Sequence, residues 1–497
     1  MKKMLFNLSS GAISQVIILL LGFIVPRIIL THYGSDTNGL TNTITQIFMY
    51  MALLEAGIGQ AAQNALYPYI STNDRHGMSL IMSAARRYYR KISLAYAFAV
   101  LIVSIALPFA LKTNVGFYSI FFYTIFEGLT ALVGFYYTGV YSFFLFANGK
   151  TYIINSINLF VKVSCYGIKI FLAIQGLNIA FIQLGYFIIS LIQLVIYHRY
   201  MKKHYDWIDF NAAPNDFKLP DRNAYVLTEI ASAVFSSTDM IVLSVFVSTM
   251  YSSVYSTYNM VFVALQTLLE AVYNSLKYLL GQNLQKGIEK YSKIHDAFNS
   301  AFMCGITILV SVAYWFIIPF VKLYTKGVTD INYIYTWLPL CFCLVQILSR
   351  SRSISGNLTG IAGYAKPVSY VSLIEAISNA VMSIVLVQFF GIYGVLLATV
   401  CALPIKVIYV NYIAEKKIMK RAPWKTFAIF GVNYFVFGVT VLLNCIVKIE
   451  VNSFDVFILY GIVLTVIYTL ITTSLNLVAN KSLLYSIKEI INVKIKR

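Results

Sequence analysis

In a chain of 497 residues, 59% hydrophobic and only 11% charged, with a mean hydropathy of +0.74, charges are too few to cover the surface of a soluble globule. The formal net charge of +19 collects in short connections between apolar runs. There it serves topology and attraction to anionic lipid, so no nucleic-acid partner is implied.

Crossing a bilayer as a helix takes about 20 apolar residues. Runs of that kind, bounded by Lys, Arg, Asn, Gly or Pro, fall at 10–31, 39–67, 92–111, 117–146, 151–174, 178–198, 224–247, 252–280, 297–320, 331–357, 367–389, 392–413, 426–447 and 455–477. With about fourteen transmembrane helices, the chain reads as an all-α polytopic membrane protein. The first run follows Lys2 and Lys3 as in a signal peptide, but it is too long, lacks an A-x-A-like cleavage site and is followed by further spans, so it is expected to stay in the protein. Cys165, Cys304, Cys341, Cys343, Cys401 and Cys445 lie inside spans and read as small apolar fillers, without disulfide or metal chemistry. The tail 481–497 sets Leu484, Ile487, Ile491 and Ile495 on one face, as an interfacial amphipathic helix would; a frayed basic tail fits the same letters.

Lys and Arg in short loops mark the cytoplasmic side. With the N-terminus inside, the inner connections hold Arg75, Arg86, Arg87, Arg90, Lys91, Lys150, Lys202, Lys203, Lys286, Lys290, Lys416, Lys417 and others, whereas the outer ones hold only Lys112, Lys322, Lys326 and Lys448. Both termini are therefore expected in the cytoplasm.

The letters LLEA occur twice, at Glu55 and at Glu270, and a shift of 215 residues that maps one onto the other also lays Ala147 on Ala362, Gly176 on Gly391, Tyr197 on Tyr412 and Lys202 on Lys417. The same shift maps spans 1–6 onto spans 7–12. An even number of spans per copy makes this a parallel repeat, as in two-lobed transporters. The expected organisation is a six-helix lobe with its inner linker at 1–222, a second six-helix lobe at 223–425, two additional helices at 426–480 and a basic tail at 481–497.

Short outer loops without a D-x-D motif argue against a membrane-embedded glycan polymerase, ligase or transferase, so no catalytic residues are assigned. The chain carries no G-x-x-x-x-G-K-[ST] loop, so movement of a substrate would be passive or driven by an ion gradient, with Na⁺ or H⁺ as the coupling ion and no other cofactor.

The stretches YMALLEAGIGQAAQNALYPYIS with RRYYRKIS after it, TDMIVLSVFVSTMYSSVYSTYNMV, and ANGKTYIINSINLFVKV resemble the polysaccharide transporter family, the O-antigen and capsule-unit flippases of the multidrug/oligosaccharidyl-lipid/polysaccharide exporter superfamily. The resemblance runs over essentially the whole chain through diffuse glycine, aromatic and polar positions. It implies two six-helix lobes about a central cavity and flipping of a polyprenyl-diphosphate-linked glycan between leaflets of a bacterial cytoplasmic membrane. A glycan polymerase and glycosyltransferases are the implied neighbours, membrane lipids the surroundings, and a monomer the expected state. An exporter of drugs or organic cations from the same superfamily is the rival reading.

A charge near the bilayer centre costs about 2.5–3.5 kcal/mol, so it faces a cavity, a partner or an ion. Arg27, Glu55, Glu127, Lys162, Lys169, Glu229, Asp239, Glu270, Glu375 and Lys406 are so placed, with Arg350 and Arg352 in the inner third of span 10. In span 5, Asn155, Asn158, Lys162, Tyr166 and Lys169 follow helical spacing and form one polar stripe. Arg27, Asn155, Asn158, Lys162, Lys169, Arg350 and Arg352 are the candidate cargo contacts: cations for a diphosphate, amides for sugar. Arg27 and Lys406 also lie where a side chain can snorkel, and Lys162 faces either a cavity or an internal pair with Glu127. Glu55, Glu270 and Asp239 are the candidate ion-coupling residues, with a plain hydrogen-bonding role for the two glutamates as the alternative.

Overall fold

The computed structural model describes residues 2–51, 58–134, 138–212, 235, 238–284, 287–447 and 453–479. Helices fill most of it: α1 Lys2–Met51, α2 Ile58–Ser71, α3 Arg75–Ala110, α4 Phe117–Val133, α5 Gly139–Ala147, α6 Thr151–Ile174, α7 Ile179–His204, α8 Thr249–Leu284, α9 Ile288–Tyr324, α10 Leu338–Arg350, α11 Ser353–Ile361, α12 Ala365–Phe390, α13 Ile392–Tyr412, α14 Trp424–Ile446 and α15 Phe454–Ala479. A π-helical turn, Ile413–Ile418, extends α13. No strand occurs among the described residues. Nine helical stretches among them are long and apolar enough to cross a membrane, and the molecule is a multi-pass membrane protein.

The helix boundaries depart from the sequence reading in three places, each with a local cause. Spans 1 and 2 are not separated by a loop: α1 runs through span 1 and into span 2, as far as Met51, and breaks direction at Gly34 (φ 80°, ψ 176°), a backbone conformation open to glycine alone. Span 10 starts later than 331, because Asn332 Oδ1 accepts the Ile334 N–H at 2.9 Å and folds the chain into a turn. Its helix opens only with Pro339 in the first turn, where a missing N–H costs nothing, and breaks again at Ser351–Arg352. Spans 3 and 9 reach further than their apolar letters, since α3 and α9 begin with polar, amphipathic turns at Arg75 and Ile288.

The chain divides into two compact units, Met1–Val254 and Tyr255–Arg497, the division falling inside α8. Shifted by 215 residues, α3 falls on α9, α5 on α11, α6 on α12 and α7 on α13, their first residues agreeing to within about two positions. Gly176 (φ 72°) and Gly391 (φ 54°), matched by the same shift, both take positive φ in the tight turn between the paired helices.

In unit 1, Tyr89, Phe144 and Tyr197 are fully buried in one apolar cluster and Tyr96 and Tyr123 in another. A polar knot ties the Gly34 kink to its neighbours. Asp36 accepts from Thr113 Oγ1 at 2.9 Å, from the Asn114 N–H at 2.6 Å and from Thr249. Gly39 permits the closest approach: a Cβ there would sit 1.7 Å from the Thr249 carbonyl oxygen. Beside it Asn38 donates to Ser253 Oγ at 2.7 Å, two buried positions 215 residues apart and so equivalent in the repeat.

In unit 2 the aromatic rings of Phe262 and Phe342 stack at 5.3 Å between centroids. Helices α14 and α15, outside the repeat, dock on α9 through buried polar side chains. Asn433 and Asn476 exchange amide hydrogen bonds (3.0 and 3.2 Å), Thr307 and Ser300 of α9 donate to them at 3.1 Å, and Trp315 Nε1 donates to Tyr468 Oη at 2.9 Å. In an apolar solvent such bonds, with close packing, hold helices together where hydrophobic burial offers little.

Candidate functional site

Helix α6 carries the polar stripe in unit 1, and its members meet different surroundings. Asn155 lies against Gly11 of α1, where a Cβ would come within 3.3 Å of its Nδ2. Asn158 accepts from Gln193 Nε2 of α7 at 2.9 Å. Lys162, at the middle of the 24-residue helix, is exposed and makes no ion pair among the described residues. Two turns on, Lys169 is 9% exposed, with Nζ donating to Tyr123 Oη at 3.5 Å and lying 5.1 Å from the centroid of the Tyr186 ring. Two ring faces thus hold the ammonium by cation–π attraction.

Of the two alternatives left open for Lys162, a cavity or a pair with Glu127, the pair does not form. Glu127 interacts electrostatically with Lys169, and accepts hydrogen bonds from Gln183 and from Thr45 Oγ1, the latter at 3.4 Å. Lys169 occupies the turn of α6 that faces α4 and α7, whereas Lys162 is exposed, so that Lys169 and not Lys162 senses the Glu127 charge.

In unit 2 the candidate arginines are held by carboxylates. Arg350 lies 3.4 Å from Glu270 Oε1, which also accepts from Gln266 Nε2 at 2.9 Å. The Glu270 side chain is 47% exposed and that of Arg350 15%, so the carboxylate is the open end of the pair. Arg352 pairs with the buried Glu375, whose charge also attracts Lys406. Both arginines flank the break between α10 and α11, which aims them at different helices, α8 and α12.

Three further site residues are placed as follows. Arg27 is half-buried in α1, next to Pro26. Asp239 is buried and acts on the phenol of Tyr50, which bonds Thr238. Glu55 lies outside the described residues.

One charged cluster escaped the sequence reading. Arg421, just beyond the π turn, bonds Asp296 of α9 at 2.8 Å and Glu415 at 2.8 Å, and Thr426 donates to Glu415. His295, Asp296 and Glu415 offer ligand atoms within 4.8 Å of one another, a spacing open to a metal ion. The Arg421 guanidinium already bridges both carboxylates, so the set is an ion-pair cluster. Burial alone would lower the Arg421 pKa, but the bonds to Asp296 and Glu415 outweigh it and raise the value above that of a free arginine. The signal missed was the acid Glu415 directly before Lys416 and Lys417 at the end of a span, in a chain poor in acids.

These features define the class: an all-helical, multi-pass protein of two repeat-related units that keeps charged side chains inside its helical bundle. No protein-family model matches the chain, and no curated protein does. Solved structures do. The chain is similar to the lipid II flippase MurJ in an inward closed conformation (15% identity, 95% of this chain and 99% of that one, TM-score 0.69). It is also similar to an inward-facing multidrug resistance MATE family transporter of the MOP superfamily (11%, 82% and 98%, TM-score 0.65). A third is a MOP superfamily transporter from Pyrococcus furiosus described as having a binding pocket of reverse polarity (11%, 84% and 95%, TM-score 0.51). At these identities the likeness is one of fold: this chain has the fold of MOP superfamily transporters.

Proposed function

We propose that this protein is a flippase that carries a polyprenyl-diphosphate-linked oligosaccharide across the bacterial cytoplasmic membrane for surface polysaccharide synthesis, by alternating access, with both termini in the cytoplasm. The observation that carries this reading is Lys162, an exposed cation halfway along a membrane-spanning helix with no ion pair among the described residues. Facing lipid it would cost about 2.5–3.5 kcal/mol. Facing a polar path it supplies a point charge for phosphate, with the amides of Asn155 and Asn158 on the same stripe for sugar hydroxyls. Arg27, Lys169, Arg350 and Arg352 complete the proposed cargo set, each already engaged by neighbours in this structure. Na⁺ or H⁺ acting at Glu55, Glu270 or Asp239 is the proposed driving ion. The protein works as a monomer beside glycosyltransferases and a polymerase.

The half-exposed carboxylate of Glu270 favours a second reading, an ion-coupled exporter of organic cations, and MOP folds serve both kinds of cargo. Proteoliposomes decide between them. Translocation of a polyprenyl-diphosphate-linked oligosaccharide, scored by access of an externally added glycan-modifying enzyme, is expected; ethidium extrusion without lipid translocation would replace the first reading by the second.

A further inference from the structure

Along α3 the large side chains exposed to the surroundings are Leu94, Phe98, Leu101, Ile102, Ile105 and Phe109, a single apolar stripe at helical spacing. From Ile92 to Ala110 the helix carries no charge, a length of about 28 Å at 1.5 Å per residue, close to the ~30 Å of a bilayer's hydrocarbon core. At the Ile92 end the same side of the helix continues into Lys91 and Arg90, with Arg86 a turn beyond. All three are exposed and make no ion pair among the described residues. They fall within about 9 Å of the apolar edge, the level of lipid phosphates. Like charges at i, i+4 repel, as Arg86 and Arg90 do, and an anion set between them would relieve that repulsion. The Phe210 ring, 4.8 Å from the Arg86 guanidinium, holds that side chain in place.

The repeat supplies the control. In α9, the mate of α3, the equivalent positions are Ala301, Gly305 and Ile306, and α14 and α15 pack against the helix. Its membrane window is 67% buried, against 28% for α3. Topology therefore does not require cations at this depth, and the face of the repeat that is covered by protein in unit 2 lies open in unit 1.

We propose that this face of α3 is a slot for one polyprenyl-diphosphate lipid, the isoprenoid chain lying along Leu94–Phe109 and the diphosphate held by Arg90, Lys91 and Arg86. The slot collects the cargo before translocation, and so rests on the flippase reading and its orientation. An ordinary anionic phospholipid shares the phosphate chemistry, and the test separates the two. The full chain is placed in phosphatidylcholine nanodiscs with undecaprenyl diphosphate, phosphatidylglycerol is titrated in, and retained lipid is counted by native mass spectrometry. The wild type is expected to retain the diphosphate against a twentyfold excess of phosphatidylglycerol, and R90Q/K91Q to retain at least tenfold less while staying monodisperse. Equal retention by the variant overturns the slot, as does displacement by an equal amount of phosphatidylglycerol. Retention lost in the variant, with no translocation by the wild type in proteoliposomes, upholds the slot and removes the flippase reading instead.

Discussion

Units 1 and 2 share a helical template and treat charge differently. In unit 2 the carboxylates of Glu270, Glu375, Asp296 and Glu415 each meet an arginine, and α14 and α15 cover the long helix α9. In unit 1 the lysines of α6 are handled by rings and by exposure: Lys169 sits between two tyrosines and Lys162 stands open. A buried ion pair is conditionally stable, since losing one member strands the other in a low dielectric. Lys169 instead lies between ring faces with the Glu127 charge nearby, and Lys162 makes no ion pair among the described residues. The repeat thus treats charge in two ways, unit 2 pairing it between its own helices and unit 1 leaving one intramembrane lysine exposed.

The sharpest way to break this division is at Arg421. Arg421→Met leaves Asp296 and Glu415 buried without their shared cation, and is expected to destabilise the protein by about 3–5 kcal/mol, read as loss of monodisperse protein on heating. Arg421→Lys keeps the charge but loses the bidentate geometry and should recover part of the loss. Wild-type melting in the Met variant would show that the cluster does not fix unit 2.

The two lysines of α6 sharpen the comparison from the other side. Lys169→Met strands Glu127 and is expected to cost about 3 kcal/mol, recovered by adding Glu127→Gln. Lys162→Ala should leave melting within about 0.5 kcal/mol of wild type and abolish glycan export, with Lys162→Arg partly active. Because Glu127 belongs with Lys169, the exchange Lys162→Glu with Glu127→Lys should not restore export. If it did, the separation of the two lysines would be wrong.

Much of the fold was legible because its signals are local. Apolar length marks spans whatever their neighbours, and Gly176 and Gly391 announced equivalent turns by their residue type alone. The 215-residue shift followed from such punctuation and holds for four helix pairs. Partner choice was not legible: Lys162 and Lys169 lie on one stripe, and only the placement of α4 and α7 shows which of them meets Glu127. The reach of α3 and α9 was hidden for a different reason, since their first turns are polar and resemble loop letters until a buried face gives them packing partners. The break at Gly34 looked like a loop because a glycine kink and a short connection use the same residues.

Among neutral groups, Asn433 is the strongest test of how α14 is held. Asn433→Ala removes half of a reciprocal amide pair and leaves Asn476 and Thr307 wanting partners, a cost of about 1–3 kcal/mol. Asn433→Asp, keeping the size but losing the donor, should be no better. Melting unchanged in both variants would mean that packing alone docks α14 and α15.

A small effect on stability is also expected at Glu270, and it bears most directly on coupling. Its carboxylate is the half-exposed end of the pair with Arg350, so Glu270→Gln should cost under about 1 kcal/mol, and Gln keeps the size of the side chain and a carbonyl that can accept from Gln266 and Arg350. What it removes is the charge. If Glu270 binds the driving ion, Gln holds the site permanently neutral. Transport in vesicles should then lose its dependence on a Na⁺ or pH gradient while downhill exchange of lipid survives. Glu55, the repeat mate, is expected to matter more, because it shares unit 1 with Arg27 and Lys162, whereas Glu270 has Arg350 as a standing counter-charge. Unchanged gradient dependence in both Gln variants would reduce the LLEA glutamates to hydrogen-bonding groups and leave Asp239, buried beside Tyr50, as the next carboxylate to neutralise.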